Sequence, residues 1–469
     1  MQTKESRIHI LAEAPVLSAI FQMALPVMLG MIVQVLYNMV DTFFIGKMND
    51  VNQLAAASIG FPFFMIIMSV GGVIGVGASS IVSRYLGMKK MKEAGEVVSL
   101  SMILIIILAV IITIPALLFI RPVVFLLGAR DAVIEPTIAY LAPLTTGSII
   151  ILGNFALGVI LRSEGAAIAA MKGMIIGTVI NIILDPVMIF LLDWKIAGAA
   201  WATVIGNLAG LAYYLYCYAR HSILKLNFSG AIFRSEYLKN IFAIGIPSGV
   251  NQALMSVANI ITNNLAATYG AVVLGAMGIA QRVNSLIILL LIGLATGCQP
   301  LIGYNYGAKN KQRLYSILKT SMAIAIILGS VLLVIFLIFT KYTIAIFTGI
   351  PEVIESGTYI LRAISSSAPI IGIIMICMNS LQAMGKAMPS LILSAGRQGI
   401  FYIPILFLLN GLFGFNGFIF TQPIVDVLMC ITASLMLRHV LHSDVILHGD
   451  GTTNGQPSNQ DLAETAGIL

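Results

Sequence analysis

Charged residues are scarce in this chain. Only 10% of its 469 residues are Asp, Glu, Lys or Arg, whereas 59% are hydrophobic. Soluble domains usually contain roughly 25% charged residues, so the chain has too little polar material to cover a globule in water. Apolar stretches of about 20 residues, the length that crosses a bilayer, recur from Leu17 to about Leu441. The sequence therefore predicts an all-α integral membrane protein.

The motifs of soluble catalysis are also missing. The chain has no G-x-x-x-x-G-K-[ST] phosphate loop, no H-E-x-x-H zinc motif and no G-x-S-x-G motif. The four cysteines match no metal or redox spacing and lie in apolar segments, as small buried residues: Cys217, Cys298, Cys377 and Cys430. The histidines fall near loops or termini, which disfavours a histidine proton relay: His9, His221, His439, His442 and His448. We predict neither an enzyme nor a bound cofactor or metal, and no ATP-driven motor on this chain.

The two ends of the chain are more polar than the rest. Residues 1–16 include Lys4, Glu5 and Arg7 and no small-residue cleavage site follows, so we expect a cytoplasmic N-terminal segment rather than a signal peptide. Residues 442–469 are rich in Asn, Gln, Asp, Thr and Gly and have little to bury. That composition predicts a disordered cytoplasmic tail.

Hydropathy divides the apolar part of the chain into twelve predicted spans. They cover residues 17–45, 54–83, 95–120, 132–160, 166–192, 197–219, 238–268, 274–303, 315–340, 354–382, 388–410 and 416–441. Basic residues concentrate in the termini and in every second connection: Lys4, Arg7, Arg84, Lys89, Lys90, Lys92, Arg162, Arg220, Lys225, Arg234, Lys239, Lys309, Lys311, Arg313, Lys386 and Arg438. By the positive-inside bias these connections and both termini face the cytoplasm. Membrane orientation thus explains the net charge of +7, and we expect no nucleic-acid partner.

The two halves of the chain repeat each other at an offset near 220 residues. Matched pairs are Pro26 with Pro247, Gly77 with Gly297, Gly87 with Gly307, Gly165 with Gly385, and Gly198 with Gly417. Six spans separate equivalent positions, so both halves have the same orientation. We predict two pseudo-symmetric six-helix lobes, 17–220 and 238–441, joined by a cytoplasmic linker at 221–237. Parallel repeats of this kind are typical of secondary transporters.

Three acidic residues lie inside predicted spans: Asp41, Asp185 and Asp426. A charged side chain at the bilayer centre costs roughly 2.5 to 3.5 kcal/mol on insertion scales, so each acid is a candidate functional residue. Asp41 and Asp185 fall at matching depth in the same half, and Asn181 lies one helical turn before Asp185. Asp426 is interpreted as a structural residue that pairs with Arg397 or Arg282.

The acidic pair is absent from the second half. The offset maps Asp41 to Thr262 and Asp185 to Ile405, whereas acids required by the fold would appear in both halves. The asymmetry favours a site for a coupling ion, either a proton or a sodium ion held by carboxylate, amide and hydroxyl oxygens. The alternative is that the acids pair helices together or lie near a loop, as Asp41 does relative to Lys47.

Several segments together resemble the multidrug and toxic compound extrusion (MATE) family, in particular its DinF-like and MepA-like branch. They are Ala24-Leu25-Pro26, Val40-Asp41-Thr42-Phe43-Phe44-Ile45-Gly46, Ser83-Arg84-Tyr85-Leu86-Gly87, Leu127-Gly128-Ala129-Arg130, Leu161-Arg162-Ser163-Glu164-Gly165, Asn181-Ile182-Ile183-Leu184-Asp185-Pro186, and Pro300-Leu301-Ile302-Gly303-Tyr304-Asn305-Tyr306-Gly307. The resemblance runs from about residue 15 to 441.

The resemblance implies twelve helices in two lobes and alternating access, with drug export driven by inward flow of protons or sodium ions. It implies a coupling-ion site at Asp41, Tyr140, Asn154, Asn181, Asp185 and Thr203. The choice of Tyr140, Asn154 and Thr203 rests on the resemblance alone. We expect small drug-like substrates that are amphipathic and often cationic, a multi-pass monomer in the bilayer of the cell membrane, and both termini in the cytoplasm.

Two other functions remain open on the sequence. A flippase for lipid-linked oligosaccharides on a related fold needs a strongly basic central cavity for pyrophosphate. Only Arg282, Arg362 and Arg397 are candidates for such a cavity, which weighs against this function. An uncoupled channel or a membrane scaffold would not accumulate substrate against its gradient.

Overall fold

The computed structural model describes residues 4–48, 50–228 and 234–447, and all regular secondary structure within them is helical. The α-helices are α1 Lys4–Ala12, α2 Val16–Lys47, α3 Val51–Gly87, α4 Met91–Leu118, α5 Ile120–Leu126, α6 Ile134–Thr146, α7 Ser148–Ser163, α8 Ala167–Pro186, α9 Lys195–Arg220, α10 Ser235–Thr268, α11 Ala271–Gly307, α12 Lys311–Ala345, α13 Pro351–Ser365, α14 Ala368–Ala383, α15 Ala387–Ala395 and α16 Tyr402–Leu447. A 3₁₀ turn at Asp131–Val133 and π-helical turns at Val187–Leu191 and Gly396–Ile400 complete the set.

Nine helical segments of the described chain are long and apolar enough to cross a membrane. Two bent pairs of shorter helices each form one more span, with bends of 54° between α6 and α7 and 44° between α13 and α14. The segment Ala387–Ser443 counts as one of the nine, yet Gly414 inside it has non-helical backbone angles (φ 56°, ψ −135°). Counting the two parts of this segment separately gives the number of spans that the sequence predicts. The chain is an all-helical membrane protein.

Helices extend past the predicted ends of the spans. The N-terminal segment contains the short helix α1, and α10 begins at Ser235, inside the predicted linker. Helix α16 continues to Leu447, so the predicted tail begins with helix. The rest of that tail, 448–469, and linker residues 229–233 lie outside the described residues.

One face of α12 shows how the helices are suited to lipid. Ile327, Val331, Val334 and Ile338 follow each other at spacings of three or four residues, and each is 50% exposed or more. Residues at these spacings lie on one side of a helix. A continuous exposed apolar stripe would be a liability in water, but it is the surface that a hydrocarbon environment requires.

The described chain forms two compact units. Unit 1 comprises Met1–Glu13 and Leu29–Gly249, and unit 2 comprises Ala14–Met28 and Val250–Leu469. In unit 1, α3 packs on α7 and α4, and α9 packs on α8, α7 and α6. In unit 2, α11 packs on α12, α13 and α14, and α14 also packs on α12 and α16. Helices α2 and α10 each contribute residues to both units, so the units differ from the predicted lobes at these two helices.

Unit 2 contains a buried ion pair, which confirms the interpretation of Asp426. The Arg397 Nε donates to Asp426 Oδ1 at 3.0 Å, and the Asp426 side chain is fully buried. Gln422 donates to the same oxygen at 3.1 Å, and the Ser367 hydroxyl donates to Oδ2 at 2.7 Å. Both carboxylate oxygens of Asp426 therefore have partners from the protein itself.

Candidate functional site

Two polar residues lie one turn apart on α2, within unit 1. Tyr37 and Asp41 have the i, i+4 spacing that places side chains on one face of a helix. The Tyr37 hydroxyl lies 3.2 Å from the hydroxyl of Thr203 on α9, within hydrogen-bonding distance. The Asp41 side chain is partly buried, and its Oδ1 has no hydrogen-bond partner. Helix α2 thus presents a hydroxyl and a carboxyl group to the interior of unit 1.

Helix α8 supplies the second carboxyl group. Asn181 and Asp185 are 2% and 0% exposed, and the Asn181 amide donates to Asp185 Oδ1 at 3.3 Å. Pro186 follows and cannot donate a backbone hydrogen bond, and the chain continues as a π-helical turn, Val187–Leu191. Such turns occur frequently at functional sites, because they interrupt the regular ladder of backbone hydrogen bonds.

The two acidic residues lie close enough to interact electrostatically. Asp41 acts on Asp185, and Tyr140 of α6 is subject to the charge of both. The Tyr140 ring needs space that Gly60 of α3 provides, since a Cβ at Gly60 would lie 2.5 Å from the ring. Helices α2, α6 and α8 therefore meet around one pair of carboxyl groups.

A chain of amides extends the cluster along α9. The Asn154 amide donates to Asn207 Oδ1 at 2.8 Å, and the Asn207 amide donates to the Thr203 carbonyl at 2.8 Å. The Thr203 hydroxyl in turn meets Tyr37. Asn154 is therefore connected to the cluster through Asn207.

Unpartnered oxygens distinguish this cluster from the acidic site of unit 2. One side-chain oxygen each of Asp41, Asn154, Asn181 and Asp185 is buried without a hydrogen-bond partner. Buried acceptors are rarely left unsatisfied, because an unmade hydrogen bond costs about 1–3 kcal/mol. In the part of the chain that the structure describes, no salt bridge reaches Asp41 or Asp185, whereas Asp426 has Arg397. The cluster has acceptors and negative charge but no cation of its own.

The chemistry of this donor set suits a proton or a hard monovalent cation. Carboxylate, amide and hydroxyl oxygens are ligands for hard cations, and two adjacent carboxyl groups also share a proton readily. Among the described residues no group of three or more His, Cys, Asp or Glu side chains is positioned to hold a metal ion. A cation here would be held by the two carboxyl groups together with neutral oxygens.

Glycines bring α8 and α9 close together beside Asn181. A Cβ at Gly206 would lie 2.7 Å from the Gly177 carbonyl oxygen and 2.8 Å from the Cβ of Asn181. A Cβ at Gly210 would lie 2.6 Å from Asn154 Oδ1. The positions of the two amides therefore depend on the absence of side chains along this face of α9.

Gly206→Ala is expected to lower the free energy of unfolding by about 1–3 kcal/mol, because the added methyl group overpacks the contact with Asn181. The midpoint of thermal unfolding in detergent measures this change. Gly278→Ala on α11 is the matched control, since a Cβ at Gly278 would meet no atom within 4 Å. The control should be neutral or slightly stabilising, as alanine favours helix. Equal midpoints for the two variants would contradict the packing described.

The structure groups five of the six site residues predicted from the sequence directly and the sixth through one amide. Asp41, Tyr140, Asn181, Asp185 and Thr203 surround the cluster, and Asn154 reaches it through Asn207. Sequence reasoning missed Tyr37 and Asn207. Each is a polar residue in an apolar helix, four residues from a predicted site residue, and that spacing is the signal that could have identified them.

Comparison with known proteins gives one family and one set of relatives. The family model MatE matches residues 26–187 and 247–408, one match in each half of the chain. The multidrug export protein MepA of Staphylococcus aureus (strain MRSA252) is 32% identical over 440 residues, which cover 93% of this chain and 97% of that protein.

Solved structures of similar fold come in two conformations. A MATE protein crystallised in a straight conformation matches with a TM-score of 0.88, and one in a bent conformation matches with a TM-score of 0.87. Each is 28% identical to this chain, and each match covers 93% of this chain and 98% of the other. The likeness therefore extends over nearly the whole of both chains.

Proposed function

The chain belongs to the MatE family, and on this basis we propose that it is a secondary multidrug exporter that exchanges organic compounds for protons or sodium ions. Its similarity to the multidrug export protein MepA over 440 residues supports this function. The substrates are small, amphipathic and often cationic. The chain is a transporter and not an enzyme, and it works without a cofactor.

The observation that carries the coupling proposal is the pair of buried carboxyl groups in unit 1. Asp41 and Asp185 interact with each other, and each has a buried oxygen without a hydrogen-bond partner. Two carboxylates so placed repel one another, and a bound cation relieves the repulsion. We assign Asp41 and Asp185 as the ligands of the coupling ion. Asn181, Asn154, Tyr140 and Thr203 supply neutral oxygens or hydrogen bonds, with Tyr37 and Asn207 holding them in position.

Ion binding drives transport by changing the populations of two conformations. A ligand shifts such an equilibrium only when it binds one conformation better than the other. The cluster is built from α2, α6, α8 and α9, so a movement of any of these helices changes the distances around the cation. Neutralising the acidic pair therefore favours one arrangement of the helices, and losing the ion favours the other. Similar proteins crystallise in a bent and in a straight conformation, which supports a fold with more than one state.

The protein resides in the cell membrane, with both termini in the cytoplasm. The basic residues of alternate connections support this orientation by the positive-inside bias. An inward gradient of protons or sodium ions then drives export, because the ion enters as the compound leaves.

Efflux from proteoliposomes tests the proposal. The purified protein is reconstituted, a fluorescent cationic dye is enclosed, and a pH gradient and a sodium gradient are imposed separately. We expect dye to leave against its own concentration gradient under one of the two ion gradients. Protein-free vesicles are the control. Efflux that only follows the dye gradient, with either ion gradient present, would indicate a pore and contradict the proposal.

A further inference from the structure

A cavity of about 360 Å³ lies at the end of α9, far along the chain from the residues of the acidic cluster. Its lining includes Tyr218 and Arg220 of α9, Ser222 and Lys225 of the following segment, and Lys4 of α1. All of these residues belong to unit 1. Lys4, Arg220 and Lys225 are exposed, so three positive charges face one small volume.

A buried hydroxyl group without a partner also lines this cavity. Tyr218 is 5% exposed, and its hydroxyl makes no hydrogen bond. A buried tyrosine hydroxyl normally has a partner, because leaving it unmade is costly. The hydroxyl is therefore a donor for a molecule that enters the cavity.

A fourth cation lies behind Tyr218. Arg7 of α1 is 2% exposed, its Nε and Nη1 have no hydrogen-bond partner, and its charge acts on Tyr218. Buried guanidinium groups are usually paired with an anion. Helix α1 thus contributes two positive charges, from Lys4 and Arg7, to this end of unit 1.

One carboxyl group opposes these charges. Glu164 is fully buried, and its Oε2 accepts hydrogen bonds from the Ser222 hydroxyl at 2.7 Å and from the backbone N–H of Ile223 at 3.2 Å. Burial raises the pKa of Glu164 to about 7, although these hydrogen bonds and the charges of Arg7 and Lys4 lower it. The carboxyl group is thus partly protonated at neutral pH, and four cations outnumber it.

We propose that this cavity is a binding site for a phosphate group, held by the charges of Lys4, Arg220 and Lys225 and by the hydroxyl of Tyr218. Lysine and arginine form short, charge-assisted hydrogen bonds with phosphate oxygens, and a hydroxyl donor adds direction. The phosphate belongs either to the headgroup of an anionic lipid or to a free phosphate ion. The positive-inside bias explains basic residues at this end of α9, but it requires neither a cavity nor a buried donor within it.

Titration calorimetry of the purified full-length protein in detergent, at constant ionic strength, tests this site without any transport step. The probes are inorganic phosphate and a short-chain phosphatidylglycerol, with the matching phosphatidylcholine as the zwitterionic control. Tyr218→Phe removes one hydroxyl group, and Lys225→Gln removes one charge. Each should weaken binding of the phosphate probe roughly tenfold, as expected for the loss of one hydrogen bond to a charged group. Lys92→Gln removes an exposed charge outside the cavity and should leave binding unchanged.

The two probes distinguish the source of the phosphate. Binding of both, weakened by Tyr218→Phe and Lys225→Gln, supports a site for the phosphate group itself. Binding of phosphatidylglycerol alone, weakened in the same variants, supports a lipid headgroup. Equal weakening by Lys92→Gln would show attraction to general surface charge and overturn the proposal, as would the absence of binding by either probe. Lys225 is exposed, so Lys225→Gln remains informative if Tyr218→Phe fails to fold.

Discussion

Replacing Asp185 by Asn should reduce ion-driven export roughly a hundredfold, near the upper end of typical coupling between two sites. The asparagine keeps the size of the side chain and accepts hydrogen bonds, but it neither takes up a proton nor carries a negative charge. Asp185 is fully buried and interacts with Asp41, so the substitution removes the repulsion that a coupling ion relieves. Dye export from proteoliposomes under the effective ion gradient measures the loss, and Asp41→Asn should behave alike.

Glu135→Gln provides the matched control for this substitution. Glu135 is also an acidic residue of unit 1, but it is 68% exposed and pairs with Arg121 at 2.7 Å. Surface ion pairs contribute about 0–1 kcal/mol, so export should remain at the wild-type rate. Thermal unfolding of each variant separates lost coupling from lost folding. Wild-type export by a folded Asp185→Asn variant would remove the coupling role of the acidic pair.

Arg397→Met should lower the free energy of unfolding by about 3–5 kcal/mol, because it leaves the charge of Asp426 buried without its counterion. Asp426 would keep the hydrogen bonds from Gln422 and Ser367, but these donors are neutral. The midpoint of thermal unfolding in detergent measures the change. This substitution lies in unit 2 and removes a cation, whereas Asp185→Asn lies in unit 1 and removes a carboxylate.

A double variant shows whether the loss comes from the buried charge. Asp426→Leu combined with Arg397→Met replaces the whole pair by apolar side chains, and such replacements are often neutral or stabilising. We expect the double variant to recover most of the stability that Arg397→Met loses. Arg121→Gln breaks an exposed pair and should cost about 1 kcal/mol at most. A double variant as unstable as Arg397→Met alone would contradict a simple ion pair and assign Arg397 a further packing role.

Hydropathy was sufficient for the class of fold but not for the shape of each span. The twelve spans are visible in the sequence because every one is a long apolar segment. The bend between α6 and α7 is not visible, since both arms are apolar and the chain turns at Gly147. Hydropathy also does not reveal that 14–28 packs with unit 2, because an apolar helix is suited equally to lipid and to any apolar neighbour.

The candidate site was predictable where the chemistry is costly in a membrane. Asp41 and Asp185 stand out because carboxyl groups are rare in apolar helices, and Asn181 follows from its spacing to Asp185. Tyr140 and Thr203 were identified only through family resemblance, because hydroxyl groups are tolerated at many positions of membrane helices. Tyr37 and Asn207 required the structure, since their roles depend on contacts between α2, α7 and α9.

The measurement that tests the central claim most directly is cation uptake by the purified protein at equilibrium. Proton uptake is followed with a pH indicator in weakly buffered detergent solution, and sodium binding with radioactive sodium, in the wild type and in the Asp41→Asn, Asp185→Asn double variant. We predict that the wild type binds one of these cations near neutral pH and that the double variant loses this binding event. The same uptake by both proteins would place the coupling ion elsewhere and contradict the account.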